Sequence, residues 1–337
     1  MYPKRQETDM PDQAQWTQVV EQAVRAPSIH NTQPWTFTAA GDRLEVRRDT
    51  SRALPAIDPT GRQQVLSCGV AVHFAVAALR ASGFVTELDL LPDPADPEHL
   101  ATVRVVGRAE PSASDVRLAA AIDSRHTDRA PFLAEPLPAG LVDQLEAEAG
   151  RDGVWLKPIS RVEEETAVAV LLDQGEQQEL RDPAYLAELQ AWTRTDPEAP
   201  DGVPVAALPT EGRATNSPVR DFAGGGGPHG TPATPADDDP PPPVEHPAVV
   251  LLGTAADDRA AWVRAGMALG RLLLSITDAG LAASPLTQAL DQGWVRNRLT
   301  ARLDLVGHPQ MMLRLGRPSG EQVTTGRRPV AEVLHVG

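Results

Sequence analysis

Apolar and polar positions along this chain switch repeatedly between a helical and a strand period, which predicts layers of helix and sheet. A helix is expected over about 12–25, stopped by Pro27; Trp35 and Phe37, then Leu44-Glu45-Val46, alternate as half-buried strands do. The stretch 26–33 between them is therefore a loop. A long helix over about 61–81, ended by Gly83, and strands over 85–91 and 101–106 close a first unit near Arg108. A second unit opens with a helix over 115–124, then a helix over 138–148, a strand near 154–157 and helical pattern over 162–193. Pattern then fails across 196–247, where Gly224-Gly225-Gly226-Gly227 and Pro240-Pro241-Pro242-Pro243 leave nothing to build a core. It returns with a strand over 248–252, helices over 257–279 and 293–303, and a strand over 310–315. Between the two long helices, Gly69-x-Ala71 with Gly83 and Gly266-x-Ala268 with Gly280 recur at identical spacing, either by the chance of small residues in packed helices or through duplication.

The 337 residues, 41% hydrophobic, suffice for a substantial globular core, while a formal net charge of -15 disfavours nucleic acid and anionic membrane as partners. The apolar run 65–79, interrupted by His73 and followed by Arg80, reads as an internal helix too short to span a membrane. One cysteine, Cys68, excludes an intrachain disulfide and fits a reducing cytoplasm. Residues 1–9 carry basic side chains with no apolar run after them, unlike a secretory signal.

Two strings carry the chemistry: Ala26-Pro27-Ser28-Ile29-His30-Asn31-Thr32-Gln33-Pro34-Trp35 and Arg125-His126-Thr127-Asp128-Arg129. Taken alone, the first could be a turn fixed by Pro27 and capped by Asn31, and the second an arginine-rich helix exit serving the helix dipole. Together they resemble the FMN-dependent nitroreductase superfamily. The duplicated layout, the second motif and Ala283-Ser284-Pro285-Leu286-Thr287-Gln288 are most similar to its actinobacterial Acg-type branch. The resemblance implies an α+β, nitroreductase-like fold in which two fused halves, 1–110 and 111–337, form an intramolecular pseudo-dimer with one flavin site. Residues 196–247 interrupt the second half as a lid or an idle linker, with 203–208 and Phe222 as its docking residues.

The same resemblance assigns roles. Arg125 and Arg328, beside Arg327, hold the FMN phosphate, since guanidinium forks match phosphate oxygens. Thr127 adds a hydroxyl, and His126 and Arg129 face the phosphate, ribityl chain or pyrimidine edge. Pro27, Ser28 and Asn31 form the floor and edge of the pocket, with His30 close by. Pro285 and Leu286 lead to Thr287 and Gln288, whose main chain would lie near flavin N5 as the catalytic groups. No metal is expected: His126-x-Asp128 lacks companion ligands, and no His-Glu-x-x-His occurs. The glycine run neither follows a strand nor opens a helix, and Ser28 lacks a nucleophile elbow.

The implied activity is FMN-dependent oxidoreduction with NAD(P)H as donor and a nitroaromatic, quinone or similar small-molecule acceptor, by a monomer or weak homodimer. The alternative is a protein that sequesters FMN under a closed lid without turnover. A third possibility, an interaction protein that has lost flavin, fits poorly with the joint presence of Ser28, Asn31, Arg125, Thr127 and Arg328.

Overall fold

The computed structural model describes residues 10–207, 247–320 and 323–337. Most of the Pro/Gly-rich segment, with Leu208, Phe222 and both homopolymer runs, lies outside the described residues, as do residues 1–9 and the side chain of Gln288.

Helix α1 (Gln13–Ala23) begins in a capping box: Asp12 accepts from the Gln15 amide at 2.8 Å, and Gln15 accepts from the Asp12 amide at 2.9 Å. Strands β1 (Trp35–Ala40) and β2 (Arg43–Arg48), helix α2 (Arg62–Ala81), and strands β3 (Phe84–Leu90) and β4 (His99–Arg108) follow. Helices α3 (Ala113–Ser124) and α4 (Leu141–Gly150), strand β5 (Val154–Ile159), and helices α5 (Val162–Glu179) and α6 (Pro183–Ala191) come next. The helical pattern expected over 162–193 is thus two helices, broken where Asp182 caps the Pro183 start of α6. Two-residue strands β6 (Thr193–Arg194) and β7 (Val203–Pro204) form a parallel clip, and Val203 is buried, so the start of the presumed unstructured segment is folded. Strand β8 (Ala248–Thr254), helix α7 (Arg259–Asp278), strand β9 (Ala282–Pro285), short helix α8 (Gln288–Asp291), α9 (Gly293–Arg302), β10 (His308–Gly316), α10 (Val330–Val333) and β11 (Leu334–Val336) complete the chain.

The strands form two main sheets, ordered β11-β1-β2-β4-β3 and β5-β8-β10-β9. Strand β11, late in the chain, pairs in parallel with β1 and so completes the sheet begun by the first strands.

Helices α2 and α7 lie against each other in the main core. Their crossing has no side chains at its centre. A Cβ on Gly69 would sit 3.0 Å from the Gly266 Cα, and one on Gly266 2.9 Å from the Gly69 Cα. The matched glycines of the two helices therefore face one another. Four residues on, His73 packs against Gly270, a large-to-small fit. By length and mean hydropathy, 1.5, the 20-residue α2 could cross a membrane, which corrects the expectation that the run falls short; the helix is nonetheless mostly buried inside the protein.

Candidate functional site

Four segments remote in sequence converge beside this crossing. The 26–33 loop follows α1 and contains a single 3-10 turn; His30, Asn31 and Gln33 all have positive φ, at 44°, 53° and 50°. Three non-glycine residues in that region within four positions mark a backbone held by its surroundings. Ser28 Oγ accepts from the Gln33 amide at 2.9 Å, and Ser67 Oγ from the Ile29 amide at 3.1 Å. Arg125 is the C-cap of α3, as the helix-exit reading expects. Just after it, Thr127 bridges Ala283 of β9, where the Asp128 amide donates to the Ala283 carbonyl at 3.2 Å. That bridge sets the 125–129 motif against the 283–287 segment. The fourth segment, 323–327, reaches the same place through Arg327.

Two adjoining cavities share Pro27, Ser28, Thr127 and Arg129 as a common wall. One, with about 1010 Å³ of empty space including the part open to solvent, is mostly apolar. Leu66 and Val70 of α2, Leu269 and Leu273 of α7, and Met311 and Leu313 of β10 line it. His30, Pro285, Leu286 and Thr287 border it too, and among the described residues no carboxylate does. The Leu286 amide is used in the sheet, donating to the Met312 carbonyl at 2.9 Å.

The other cavity, about 650 Å³, is polar and cationic. Arg25, Arg125, Arg129, Arg327 and His126 surround it, with Asp123, paired to Arg25 at 3.2 Å, as its one carboxylate among the described residues. Arg125 is buried. One of its terminal nitrogens donates to the Arg25 carbonyl at 3.1 Å, and so does Arg327 Nη2, also at 3.1 Å. Among the described residues neither guanidinium pairs with a carboxylate. Arg125 Nε, Arg327 Nε and His126 Nε2 are buried there with no hydrogen-bond partner among the described residues. Burial, and then the Arg327 charge, pull the Arg125 pKa down; burial and Arg25 do the same to Arg327. Such a cluster is costly to assemble unless an anion completes it.

The remaining candidate residues fall differently. Asn31 borders the polar cavity, but its side-chain amide donates to the Gly202 carbonyl at 3.0 Å and the Gly326 carbonyl at 3.2 Å, and its Oδ1 accepts from Arg327 at 3.2 Å. It braces the wall of the cavity it borders. Arg328, expected beside the phosphate, lines neither cavity. Its amide donates to Gln33 Oε1 at 2.8 Å, and its guanidinium turns to Asp49 at 3.6 Å and Glu332 at 3.4 Å. Of the two adjacent arginines, Arg327 is the one at the cavity. Gln288 opens α8 just beyond the apolar wall. Among the described residues no group of three or more His, Cys, Asp or Glu could hold a metal.

Sequence reasoning missed Arg25, which directly precedes the first motif, and Arg314. The latter is a buried arginine of β10 at the apolar cavity; it donates to the Ala130 carbonyl at 2.8 Å and lies over the Phe132 ring at 4.7 Å. A charge inside the apolar run Met311-Met312-Leu313-Arg314-Leu315 was its signal.

Two Mycobacterium tuberculosis relatives carry the provisional name NAD(P)H nitroreductase. One, Rv3131, is 38% identical over 315 residues, covering 93% of this chain and 88% of its own. The other, Acg, is 35% identical over 339 residues, covering 97% of this chain and 98% of its own. The chain belongs to this nitroreductase family, in the branch of Acg. Among solved structures, a Bacteroides fragilis nitroreductase with bound FMN is similar at 12% identity, with a TM-score of 0.38, over 63% of this chain and 94% of that one. No family model matches the chain.

Proposed function

We propose that the chain is an FMN-dependent NAD(P)H oxidoreductase with one flavin per polypeptide, the isoalloxazine ring in the apolar cavity and the phosphate in the cationic one. The observation that carries this reading is the pair Arg125 and Arg327, among the described residues without carboxylate partners and each with a buried Nε unsatisfied, bordering a space that shares a wall with a ring-sized apolar chamber. The named relatives support it in kind.

The residues present fit FMN. Arg125 and Arg327 would grip the phosphate, with Thr127 and His126 as further donors. Pro27, Ser28 and Arg129, common to both chambers, would flank the ribityl chain. Leu66, Val70, Leu269 and Leu273 would exclude water from the buried side of the ring, and Pro285–Thr287 would border the edge where N5 lies. Bound FMN supplies hydride acceptance and donation. The protein's part is to hold the ring with one face reachable, so that donor and acceptor use the same space in turn and initial-rate lines run parallel. Nitroaromatics or quinones are the acceptor class proposed.

The facing glycines Gly69 and Gly266 support a pseudo-twofold through the helix crossing, hence two fused halves and a single site. A sequestering role draws its support from the 199–203 segment, which is tied to the 31–33 loop. Anaerobic visible spectra before and after NADPH, then NADH, separate the two. Bleaching of the bound yellow flavin is expected for the oxidoreductase. A flavin that stays oxidised with both donors refutes it and leaves sequestration.

A further inference from the structure

The Pro/Gly-rich insertion leaves the fold through a short stretch that is built into the cradle. Asp201 lies between two arginines, ion-paired to Arg52 and hydrogen-bonded by Arg194 at 2.7 and 3.1 Å. The two guanidiniums also lie 5.0 and 5.4 Å from the Trp192 ring centroid. Arg52 donates in addition to the Thr32 carbonyl, so a single side chain links Asp201 to the strained loop. On either side of Asp201 the main chain is held by that loop. Gln33 donates to the Pro200 carbonyl at 2.7 Å, Asn31 donates to the Gly202 carbonyl at 3.0 Å, and the Gly202 amide returns to the Asn31 carbonyl at 3.3 Å. Gly202 has φ 74°, and a Cβ there would sit 2.7 Å from the Trp192 carbonyl, so this turn requires glycine. Gly326 is tight against Ala199 in the same way, 3.0 Å from a Pro200 Cα for a hypothetical Cβ.

The contacts continue inward. The Asn31 amide that holds Gly202 also holds the Gly326 carbonyl, and its Oδ1 accepts from the Arg327 guanidinium that borders the cationic cavity. We infer that Asp201 is a positioning residue for the anion-binding end of the site: by clamping 199–203 onto residues 31–33, it fixes Asn31 and through it the Arg327 guanidinium. The inference rests on the reading of the cationic cavity as a phosphate site. It gives the first residues of the insertion a role in affinity, distinct from covering the ring.

Of the loop residues the clamp holds, Asn31 borders the cationic cavity, and among the described residues none of Asn31, Thr32 and Gln33 lines the apolar chamber, so the ratio of FMN to riboflavin affinity isolates it. Riboflavin presents the same ring and ribityl chain without the phosphate. In the full chain, stripped of flavin and titrated with each ligand by fluorescence, Asp201→Asn should lower the FMN preference roughly tenfold, as one charged hydrogen bond to the ligand is loosened. Riboflavin affinity should hold within about twofold, and Asp201→Glu should restore most of the preference. Equal losses for both ligands, or an unchanged ratio, would overturn the inference. Should Asp201→Asn fail to fold, Arg194→Ala removes one arm of the clamp and is read by the same ratio. A wild-type chain that binds riboflavin as tightly as FMN would instead overturn the phosphate reading itself.

Discussion

Gly266→Ala tests the helix crossing on which the site is built. The added Cβ would fall inside van der Waals distance of the Leu66 carbonyl and 2.9 Å from the Gly69 Cα, both main-chain atoms that cannot rotate away. Relief requires α2 and α7 to separate, and Leu66, Val70, Leu269 and Leu273, which wall the apolar cavity, ride on those helices. Overpacking of this kind costs about 1–3 kcal/mol, and rigid backbone on both sides puts it near the upper end. Replacing a mid-helix glycine by alanine returns at most about 1 kcal/mol of helix propensity. The net expectation is a loss of about 2 kcal/mol. For a chain of this size that lowers the melting temperature by roughly 3 °C. Gly150→Ala is the control: a Cβ there meets nothing within 4 Å at the end of α4, so propensity alone should leave it neutral or slightly stabilised. Thermal and urea unfolding of both variants decides the matter. A Gly266→Ala protein as stable as wild type, or stabilised like the control, would refute the close crossing.

Further outcomes follow from individual side chains. Arg125→Ala and Arg327→Ala should each weaken FMN binding by roughly 10- to 100-fold through lost charged hydrogen bonds, whereas Arg328→Ala should stay within about threefold; equal effects across the three, by fluorescence titration, would contradict the cavity assignment. His73 is buried against α7, and desolvation, with Arg271 and Arg80 nearby, holds its pKa down at about 3. The unfolded chain therefore takes up a proton below about pH 6.5 that the native state refuses, and stability is lost as pH falls from there. Between pH 6.5 and 5 the loss should be about 2 kcal/mol, and a His73→Leu variant with the same slope would show the imidazole is not its source. Cys68 is fully buried, and desolvation raises its thiol pKa, so a thiol reagent should label it only as the protein unfolds; rapid native labelling would contradict that burial.

Much of this was legible before any coordinates. The long helices, the loop placement of Ser28 to Gln33 and the exit of Arg125 from α3 follow from period, proline and cap signals that act locally. The matching glycine spacings were visible as a recurrence, but that Gly69 and Gly266 meet at a crossing is a tertiary fact the spacing alone does not carry. What stayed hidden is tertiary. Nothing local distinguishes Arg327 from Arg328: which one enters the cavity is decided by Gln33, Asp49 and Glu332, which claim Arg328. Asn31 reads as a cofactor ligand by motif, yet its hydrogen bonds are taken by Gly202 and Gly326, more than 150 residues away. Composition likewise concealed that 199–204 is folded, since it is held chiefly by the side-chain amides of Asn31 and Gln33 and by two arginines.

The claim at the centre of this account is one flavin cradle assembled once per chain from both halves. Its most direct test is the stoichiometry of FMN binding to flavin-free protein, titrated well above the dissociation constant with the oligomeric state measured alongside. The account predicts one FMN per polypeptide, in a monomer or a dimer alike. Two per polypeptide, one per two polypeptides, or no saturable binding would contradict it.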